Sequence, residues 1–326
     1  MSESWTADQM PECSEKTVLI TGANSGLGFE ATKAFARQGA TVIMACRSTE
    51  RGEQAAQEIA EQLPGGTGAT LNVRQCDLAS LDSIEAFADE VRDAYDDLHI
   101  LCNNAGVMAI PRSETEDGFE MQFGVNHLGH FALTGQLLDL LVGTEGETRI
   151  VTHSSGAHTT GEVDFDDLHR EESYSKWGAY GQSKLANLLF AYELQRRLDG
   201  AGITETKSVA CHPGYAATNL QYRGPEQSGS RIKLATMRVA NAVFGQSAST
   251  GALPLLYAAT APDVRGGEYY GPGGLLNMRG PPERQESSDA SHDEADARQL
   301  WERSEELTGV TYSFEQLASA EVAADD

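Results

Sequence analysis

The chain has 326 residues and a formal net charge of −25 at pH 7, and only six of its 24 basic residues are lysines. Nucleic acid is excluded as a partner, because phosphate binding requires the clusters of lysine and arginine that this chain lacks. No apolar stretch reaches the roughly 18 residues of a membrane helix, and the polar N-terminus has no signal-peptide pattern, so we expect a cytoplasmic protein without a membrane anchor.

The acidic, lysine-poor composition suits concentrated salt. At molar ionic strength the Debye length falls to roughly 3 Å, so repulsion among carboxylates is largely screened while the charge keeps the surface hydrated. We therefore hypothesise a halophilic source. The alternative is an ordinary acidic protein with an acidic tail. The five scattered cysteines include no CxxC pair and indicate reduced core residues.

Short β-rich runs alternate with helix-sized segments along the chain. The runs cover residues 17–21, 41–46, 70–76, 98–103, 149–153 and 206–211. This alternation predicts an α/β fold with a single Rossmann-type, doubly wound parallel sheet and helices on both faces. No linker rich in proline and glycine divides the chain, so one domain is expected over residues 1–280.

A glycine-rich turn, TGANSGLG at residues 21–28, follows the first strand and opens a helix with an apolar face. Glycines permit a tight turn and let a pyrophosphate approach the unpaired N–H groups of the helix N-terminus. A P-loop is disfavoured, because no Lys-Ser/Thr pair follows Gly28. The turn predicts a dinucleotide site made by Gly22, Asn24, Ser25, Gly26, Leu27 and Gly28.

The second strand ends in Cys46, Arg47 and Ser48, where NAD enzymes usually carry an acid for the adenosine ribose. Arg47 can form charge-assisted hydrogen bonds to a 2′-phosphate, with Ser48 and Arg51 nearby. We interpret this as a preference for NADP(H). The alternative is a solvated surface arginine.

Tyr180 and Lys184 stand four residues apart on a predicted helix and therefore share one of its faces. A tyrosine hydroxyl has an ordinary pKa near 10, and a neighbouring ammonium and an oxidised nicotinamide would stabilise its phenolate. The pair can thus act as an acid/base. Ser154 and Ser155 end the strand that precedes this helix.

Two regions differ from the βα alternation. Residues 215–260 resemble an insertion of loop and helices after the sixth strand, which we expect to cover a substrate. Residues 281–326 form an acidic C-terminal extension in which one short amphipathic helix, around Leu300, Trp301 and Leu307, is expected to dock.

Taken together, the motifs resemble the short-chain dehydrogenase/reductase family over about residues 15 to 275. They are the glycine turn, NNAG at residues 103–106, Asn126, Ser155, the Tyr180/Lys184 pair and HPG at residues 212–214. The segments VNHLGHF, YGQSKLANLLF and CHPGY look most like the branch of retinol dehydrogenases, WW-domain oxidoreductases and protochlorophyllide reductases.

The resemblance implies a reaction in which hydride passes between the nicotinamide of NADP(H) and a small apolar carbonyl or alcohol substrate. Ser155 would bind the substrate oxygen, and Tyr180 would exchange a proton with it. Lys184 would hold the nicotinamide ribose and lower the pKa of Tyr180, and Asn126 would position a water that links Lys184 to solvent.

The resemblance also implies the remaining contacts with the cofactor. Asp77 and Leu78 would flank the adenine, Asn104, Ala105 and Gly106 would line the cofactor, and Pro213, Gly214 and Thr218 would surround the nicotinamide. It further implies a homodimer or homotetramer. The acidic insertion at residues 161–177 is interpreted as a loop near the substrate entrance.

The sequence leaves alternatives to carbonyl reduction. Reduction of a carbon–carbon double bond, as in protochlorophyllide reductases, is the second hypothesis, and a non-catalytic nucleotide-sensing protein is the third. A methyltransferase usually keeps an acid where Arg47 stands. His127 and His130 lack a third metal ligand, so no metal is expected. A hydrolase triad around His153 and Ser155 lacks the G-x-S-x-G elbow.

Overall fold

A parallel β-sheet forms the centre of the protein. The computed structural model describes residues 4–214, 247–274 and 277–318. The strands run in the order β3-β2-β1-β4-β5-β6-β7-β8, and only β8 is antiparallel to its neighbour. Their bounds are Thr17–Thr21 (β1), Thr41–Cys46 (β2), Thr70–Gln75 (β3), Ile100–Asn103 (β4), Thr148–His153 (β5), Thr206–Cys211 (β6), Tyr269–Pro272 (β7) and Pro282–Arg284 (β8).

Helices cover both faces of this sheet. A π-helical turn, Gly124–Leu128, joins the single turn α4 to α5. The helices are Gly26–Arg37 (α1), Thr49–Gln62 (α2), Leu81–Ala94 (α3), Met121–Phe123 (α4), Gly129–Gly143 (α5), Lys176–Ala201 (α6), Ala248–Gly251 (α7), Leu253–Thr260 (α8) and Glu294–Thr308 (α9), with 3-10 turns at Ala7–Gln9, Gly156–Thr160 and Asp289–His292.

Two apolar layers separate the helices from the sheet. On one face, Phe35 of α1, Ile59 of α2 and Leu255 of α8 pack against alternate residues of the strands. On the other, Phe87 of α3 and Phe131 of α5 pack with residues of α6. Because both faces are covered, the central strands β1, β2 and β4 are almost continuously apolar, as buried parallel strands usually are.

The predicted fold class is confirmed. After β3 the chain crosses back over β2 and β1 to form β4, so β1 and β4 are neighbours in the sheet although β2 and β3 lie between them in sequence. This reversal of strand order opens a crevice at the carboxyl ends of the two strands, which is where open α/β sheets bind ligands.

Residues beyond the sixth strand add to this core. Leu255 and Leu256 of α8 fall in the segment 215–260 that was predicted to cover a substrate, but they are buried against the sheet. The rest of the predicted cover, residues 215–246, lies outside the described ranges. In the C-terminal extension, β8 pairs with β7, and Leu300 and Trp301 of α9 are buried. The division of the chain at residue 280 stays a prediction. No helix in the described ranges is long and apolar enough to cross a membrane.

Candidate active site

The glycine turn has two residues with positive φ angles and one position where the backbone is tightly packed. Gly22 and Gly26 adopt positive φ angles of 66° and 56°, which side chains other than glycine rarely adopt. A Cβ on Gly28 would lie 2.3 Å from the Gly22 carbonyl oxygen and 2.7 Å from the Asn104 amide nitrogen. Ser25 precedes α1 but makes no side-chain cap hydrogen bond. The first N–H groups of α1 are therefore left to face the cleft.

A cleft lies at the carboxyl ends of β1, β2 and β4. Thirteen of the predicted cofactor-binding residues line it: Gly22, Asn24, Ser25, Gly26, Leu27, Gly28, Arg47, Ser48, Asp77, Leu78, Asn104, Ala105 and Gly106. It is also lined by Arg51, which the sequence placed near Arg47, and by Val107, Met121 and Val125. Met121 comes from α4 and Val125 from the π-helical turn, whereas Val107 lies in the loop after β4.

Two arginines stand at the end of this cleft beside β2. Arg47 is exposed, and the Ser48 hydroxyl caps α2 by accepting from the Arg51 N–H at 3.4 Å. Among the residues that the structure describes, neither Arg47 nor Arg51 forms an ion pair with a carboxylate. Their guanidinium groups are thus available to an anionic ligand.

Ser154 and Ser155 have different surroundings. The Ser154 side chain is buried and donates to the backbone oxygen of Lys184 at 2.7 Å. Ser155 is partly exposed and caps the short turn Gly156–Thr160, accepting from the Ala157 N–H at 3.2 Å. The Ser155 side chain also lies close enough to the Tyr180 hydroxyl to lower its pKa. Of the two serines, Ser155 is therefore the one beside Tyr180.

Lys184 lies one helical turn from Tyr180. Its ammonium is 5.8 Å from the centre of the Tyr180 ring and donates to the backbone oxygen of His153 at 3.1 Å. Burial lowers the pKa of Lys184 from 10.5 to about 8. The His153 ring contacts Asn104, not Ser155, at 3.1 Å between Nδ1 and Oδ1.

The pKa of Tyr180 differs from our expectation. Burial raises this pKa above 10, and the nearby Ser155 hydroxyl offsets only part of the increase. The sequence predicts that the ammonium of Lys184 lowers it. Desolvation of the buried phenol is the largest cause of the shift, and it raises the pKa. At neutral pH the Tyr180 hydroxyl therefore keeps its proton.

The side chain of Asn126 makes hydrogen bonds with two neighbouring residues, Val107 and Ser183. Its Oδ1 accepts from the Val107 N–H at 2.8 Å, and its Nδ2 donates to the Val107 oxygen and to the Ser183 hydroxyl, each at 2.9 Å. Gly106 lies between Asn126 and Lys184, because a Cβ there would be 3.0 Å from Oδ1 of Asn126 and 3.7 Å from Nζ of Lys184. The hydrogen bonds with Val107 and Ser183 therefore hold the Asn126 side chain beside Gly106.

Pro213 and Gly214, which were predicted to surround the nicotinamide, are not part of the cleft lining. Pro213 and Gly214 directly follow β6, and Gly214 packs tightly, since a Cβ there would lie 2.4 Å from the Met278 oxygen. Thr218 lies outside the described residues.

The rings of His127 and His130 do not converge, because His127 contacts Ser304 and His130 contacts Thr21. Within the described ranges no cluster of three or more potential metal ligands occurs.

The sequence profile described as short chain dehydrogenase matches residues 16–228. The chain belongs to this family. The resemblance of the motifs is thereby confirmed, and the methyltransferase and hydrolase hypotheses are wrong. The protein is an oxidoreductase of the short-chain dehydrogenase/reductase class.

Retinol dehydrogenases are among the relatives of this dehydrogenase. Mouse retinol dehydrogenase 14 is 42% identical over 304 residues, which cover 90% of this chain and 86% of the relative. Human retinol dehydrogenase 13 is 43% identical over 302 residues, which cover 90% of this chain and 85% of the relative.

Solved structures share the fold of this dehydrogenase. A protein from Mycobacterium paratuberculosis is 41% identical with a TM-score of 0.77, over 95% of this chain and 99% of that one. A short chain dehydrogenase from Shigella flexneri, solved with NADP, is 22% identical with a TM-score of 0.59. The match covers 80% of this chain and 98% of that one.

Proposed function

We propose that the protein is an NADP(H)-dependent oxidoreductase that interconverts a carbonyl and an alcohol, with Tyr180 as the acid/base. The observation that carries the proposal is the placement of Ser155, Tyr180 and Lys184 side by side, with the Lys184 ammonium 5.8 Å from the tyrosine ring and Ser155 near enough to lower the pKa of Tyr180. Two hydroxyl donors side by side suit a single substrate oxygen. A purely structural role would not require a half-exposed serine at this place.

The cleft has the features that a dinucleotide requires. The tight turn at Gly28, where a Cβ would clash with the Gly22 carbonyl oxygen, and the uncapped N-terminus of α1 suit a pyrophosphate. Arg47 and Arg51, without carboxylate partners in the described ranges, suit the 2′-phosphate that distinguishes NADP(H) from NAD(H). When bound, this cofactor supplies or accepts the hydride.

The residues at the carboxyl end of β5 would handle the proton. Ser155 would donate a hydrogen bond to the substrate oxygen and hold it near the Tyr180 hydroxyl. Because burial raises the pKa of Tyr180, this hydroxyl is protonated at neutral pH and is ready to donate. The arrangement therefore favours carbonyl reduction near pH 7, whereas alcohol oxidation needs the phenolate and a higher pH.

An apolar alcohol or aldehyde is the proposed substrate class. The support is the 42% identity with mouse retinol dehydrogenase 14, whose name states its substrate. Retinol is a long apolar primary alcohol, so retinol with NADP⁺ and straight-chain aldehydes with NADPH are the substrates to assay first.

The nucleotide half of the proposal is tested by cofactor binding. We expect tight NADPH binding by cofactor fluorescence, and we expect Arg47→Asp to weaken it by about 10- to 100-fold, the loss of one or two charge-assisted hydrogen bonds, while NADH affinity does not fall. Arg298→Asp makes the same charge change on the exposed side of α9 and serves as the control. Equal affinity of the wild type for NADPH and NADH would contradict the proposal.

The chemical half is tested with Tyr180→Phe. This variant should bind NADPH as the wild type does but lose about 100-fold or more in kcat, because it lacks the proton donor. Turnover that survives this substitution would remove Tyr180 from the mechanism.

A further inference from the structure

The Thr21 hydroxyl at the end of β1 organises the loop after β4. It accepts from the backbone N–H groups of Asn104 and Ala105, each at 2.9 Å. The Asn104 side chain donates in turn to the Thr21 backbone oxygen at 2.7 Å. Both acceptor positions of the hydroxyl are thereby filled, and its single proton must go to another acceptor.

His130 of α5 provides that acceptor. Its Nε2 lies 2.9 Å from the Thr21 hydroxyl, closer than the Cys102 backbone oxygen at 3.3 Å. Its Nδ1 lies 3.0 Å from the backbone oxygen of Asn126, which can only accept. The ring must therefore carry its proton on Nδ1 and accept at Nε2. Burial keeps the ring neutral, since it lowers the pKa of His130 to about 4.

The contact with the Asn126 carbonyl matters because the side chain of Asn126 is already engaged with Val107 and Ser183. Asn126 lies inside the π-helical turn Gly124–Leu128. The Nδ1–H of His130 holds its carbonyl from the first turn of α5. One imidazole thus joins the loop at the end of the nucleotide cleft to the residue that stands beside Lys184 across Gly106.

We propose that His130 is a positioning residue that fixes the Thr21/Asn104 loop through Nε2 and the Asn126 carbonyl through Nδ1. The inference rests on the proposed function, in which the loop contacts NADP(H) and Asn126 serves the chemical step. Loss of the contact at each ring nitrogen should then have a different effect. Loss of the Nε2 contact should weaken cofactor binding, and loss of the Nδ1 contact should slow turnover.

Two substitutions separate the contacts. His130→Asn places an amide donor near the former Nδ1 and keeps the bond to Asn126, whereas His130→Gln places a carbonyl near the former Nε2 and keeps the acceptor for Thr21. We expect His130→Asn to weaken NADPH binding by about tenfold with kcat retained, as the loss of one buried hydrogen bond implies. We expect His130→Gln to lower kcat by about tenfold with NADPH affinity retained.

The matched control is His127→Gln. His127 is buried three residues earlier, but its ring contacts Ser304 on α9. This variant should lose stability without changing kcat or NADPH affinity. A purely structural role for His130 predicts the same result for both His130 variants, and that result would overturn the proposal.

A further measurement needs no variant. Imidazole ¹⁵N chemical shifts of the wild-type protein, with His130 assigned through its contacts with Thr21, should report the Nδ1–H tautomer. The Nε2–H tautomer would overturn the inference even if neither variant folds. If wild-type turnover is abolished by Tyr180→Phe while both His130 variants behave as wild type, only this inference fails. If the wild type neither binds NADPH nor turns over, the proposed function fails with it.

Discussion

The Ser154 hydroxyl donates a hydrogen bond to the backbone oxygen of Lys184, with 2.7 Å between the two oxygens. This bond links the residue that follows β5 to the N-terminal half of α6. It leaves Ser155, the next residue, turned toward Tyr180. Adjacent serines thus hold the strand and helix together on one side and present a free donor on the other.

Substitution of each serine by alanine should separate these roles. Ser155→Ala should lower kcat by about 100-fold, the usual effect of removing one donor to a reacting oxygen, with little change in stability. Ser154→Ala should instead lower the free energy of unfolding by about 1 kcal/mol, because one buried hydrogen bond is lost, and keep most of the activity. Steady-state kinetics and urea unfolding measure both effects. The reverse pattern would assign the substrate contact to Ser154.

Gly28 is the position in the glycine turn with the least space. Gly28→Ala should abolish NADPH binding, because the new Cβ would lie 2.3 Å from the Gly22 oxygen and 2.7 Å from the Asn104 amide. Gly143→Ala is the control, since a Cβ at that helical position would have no atom within 4 Å. It should leave binding unchanged and stabilise α5 by about 0.5 kcal/mol. NADPH titration and thermal unfolding distinguish the two, and normal binding by Gly28→Ala would remove this turn from the site.

Acid should unfold the protein through its buried histidines. Burial lowers the pKa of His127 and His153 to about 3 and of His130 and His212 to about 4. In the unfolded chain these rings have a pKa of about 6.5, so below that pH they bind protons in the unfolded state but not in the native state. The stability is fully present above about pH 6.5 and is lost as the pH falls toward the native pKa values.

The urea midpoint should therefore decrease from pH 7.5 to pH 5. His127→Gln removes one of the four groups, so its midpoint should depend less steeply on pH than that of the wild type over the same range. Parallel pH profiles for the two proteins would show that His127 does not contribute.

Salt should stabilise the protein because the chain carries a net charge of −25. Raising KCl from 0.1 M to 1 M shortens the Debye length from about 10 Å to about 3 Å and screens repulsion among the carboxylates. We expect the melting temperature to rise across this range. Sucrose, which carries no charge, should not produce the same increase at equal osmolality. An unchanged melting temperature in KCl would favour the alternative of an ordinary acidic protein.

Much of the fold could be predicted because parallel strands have a strong local signal. The predicted and observed strands agree within two residues, and β1, β2 and β6 agree at both ends. The short strands β7 and β8 were missed, because β7 has only two register pairs with β6 and three with β8. Pairing across so few residues depends on neighbours that periodicity does not reveal.

The site was predictable where residue type and local order determine the contact. Arg47 follows β2 directly, and the glycine turn follows β1, so both reach the cleft by connectivity alone. The link from Thr21 to His130 spans 109 residues and has no spacing pattern. The raised pKa of Tyr180 was likewise unpredictable, because desolvation depends on how completely the chain covers the phenol.

The C-terminal helix has a consequence for the order in which the chain can fold. Trp301 of α9 packs on Phe131 of α5 and on Phe190 of α6, with ring centres 5.1 Å and 5.8 Å apart. A ribosome releases these partners long before it releases Trp301. The helix that carries Tyr180 and Lys184 therefore keeps an uncovered aromatic side while the residues between Phe190 and Trp301 are synthesised, and a nascent chain offers this side to chaperones until α9 arrives.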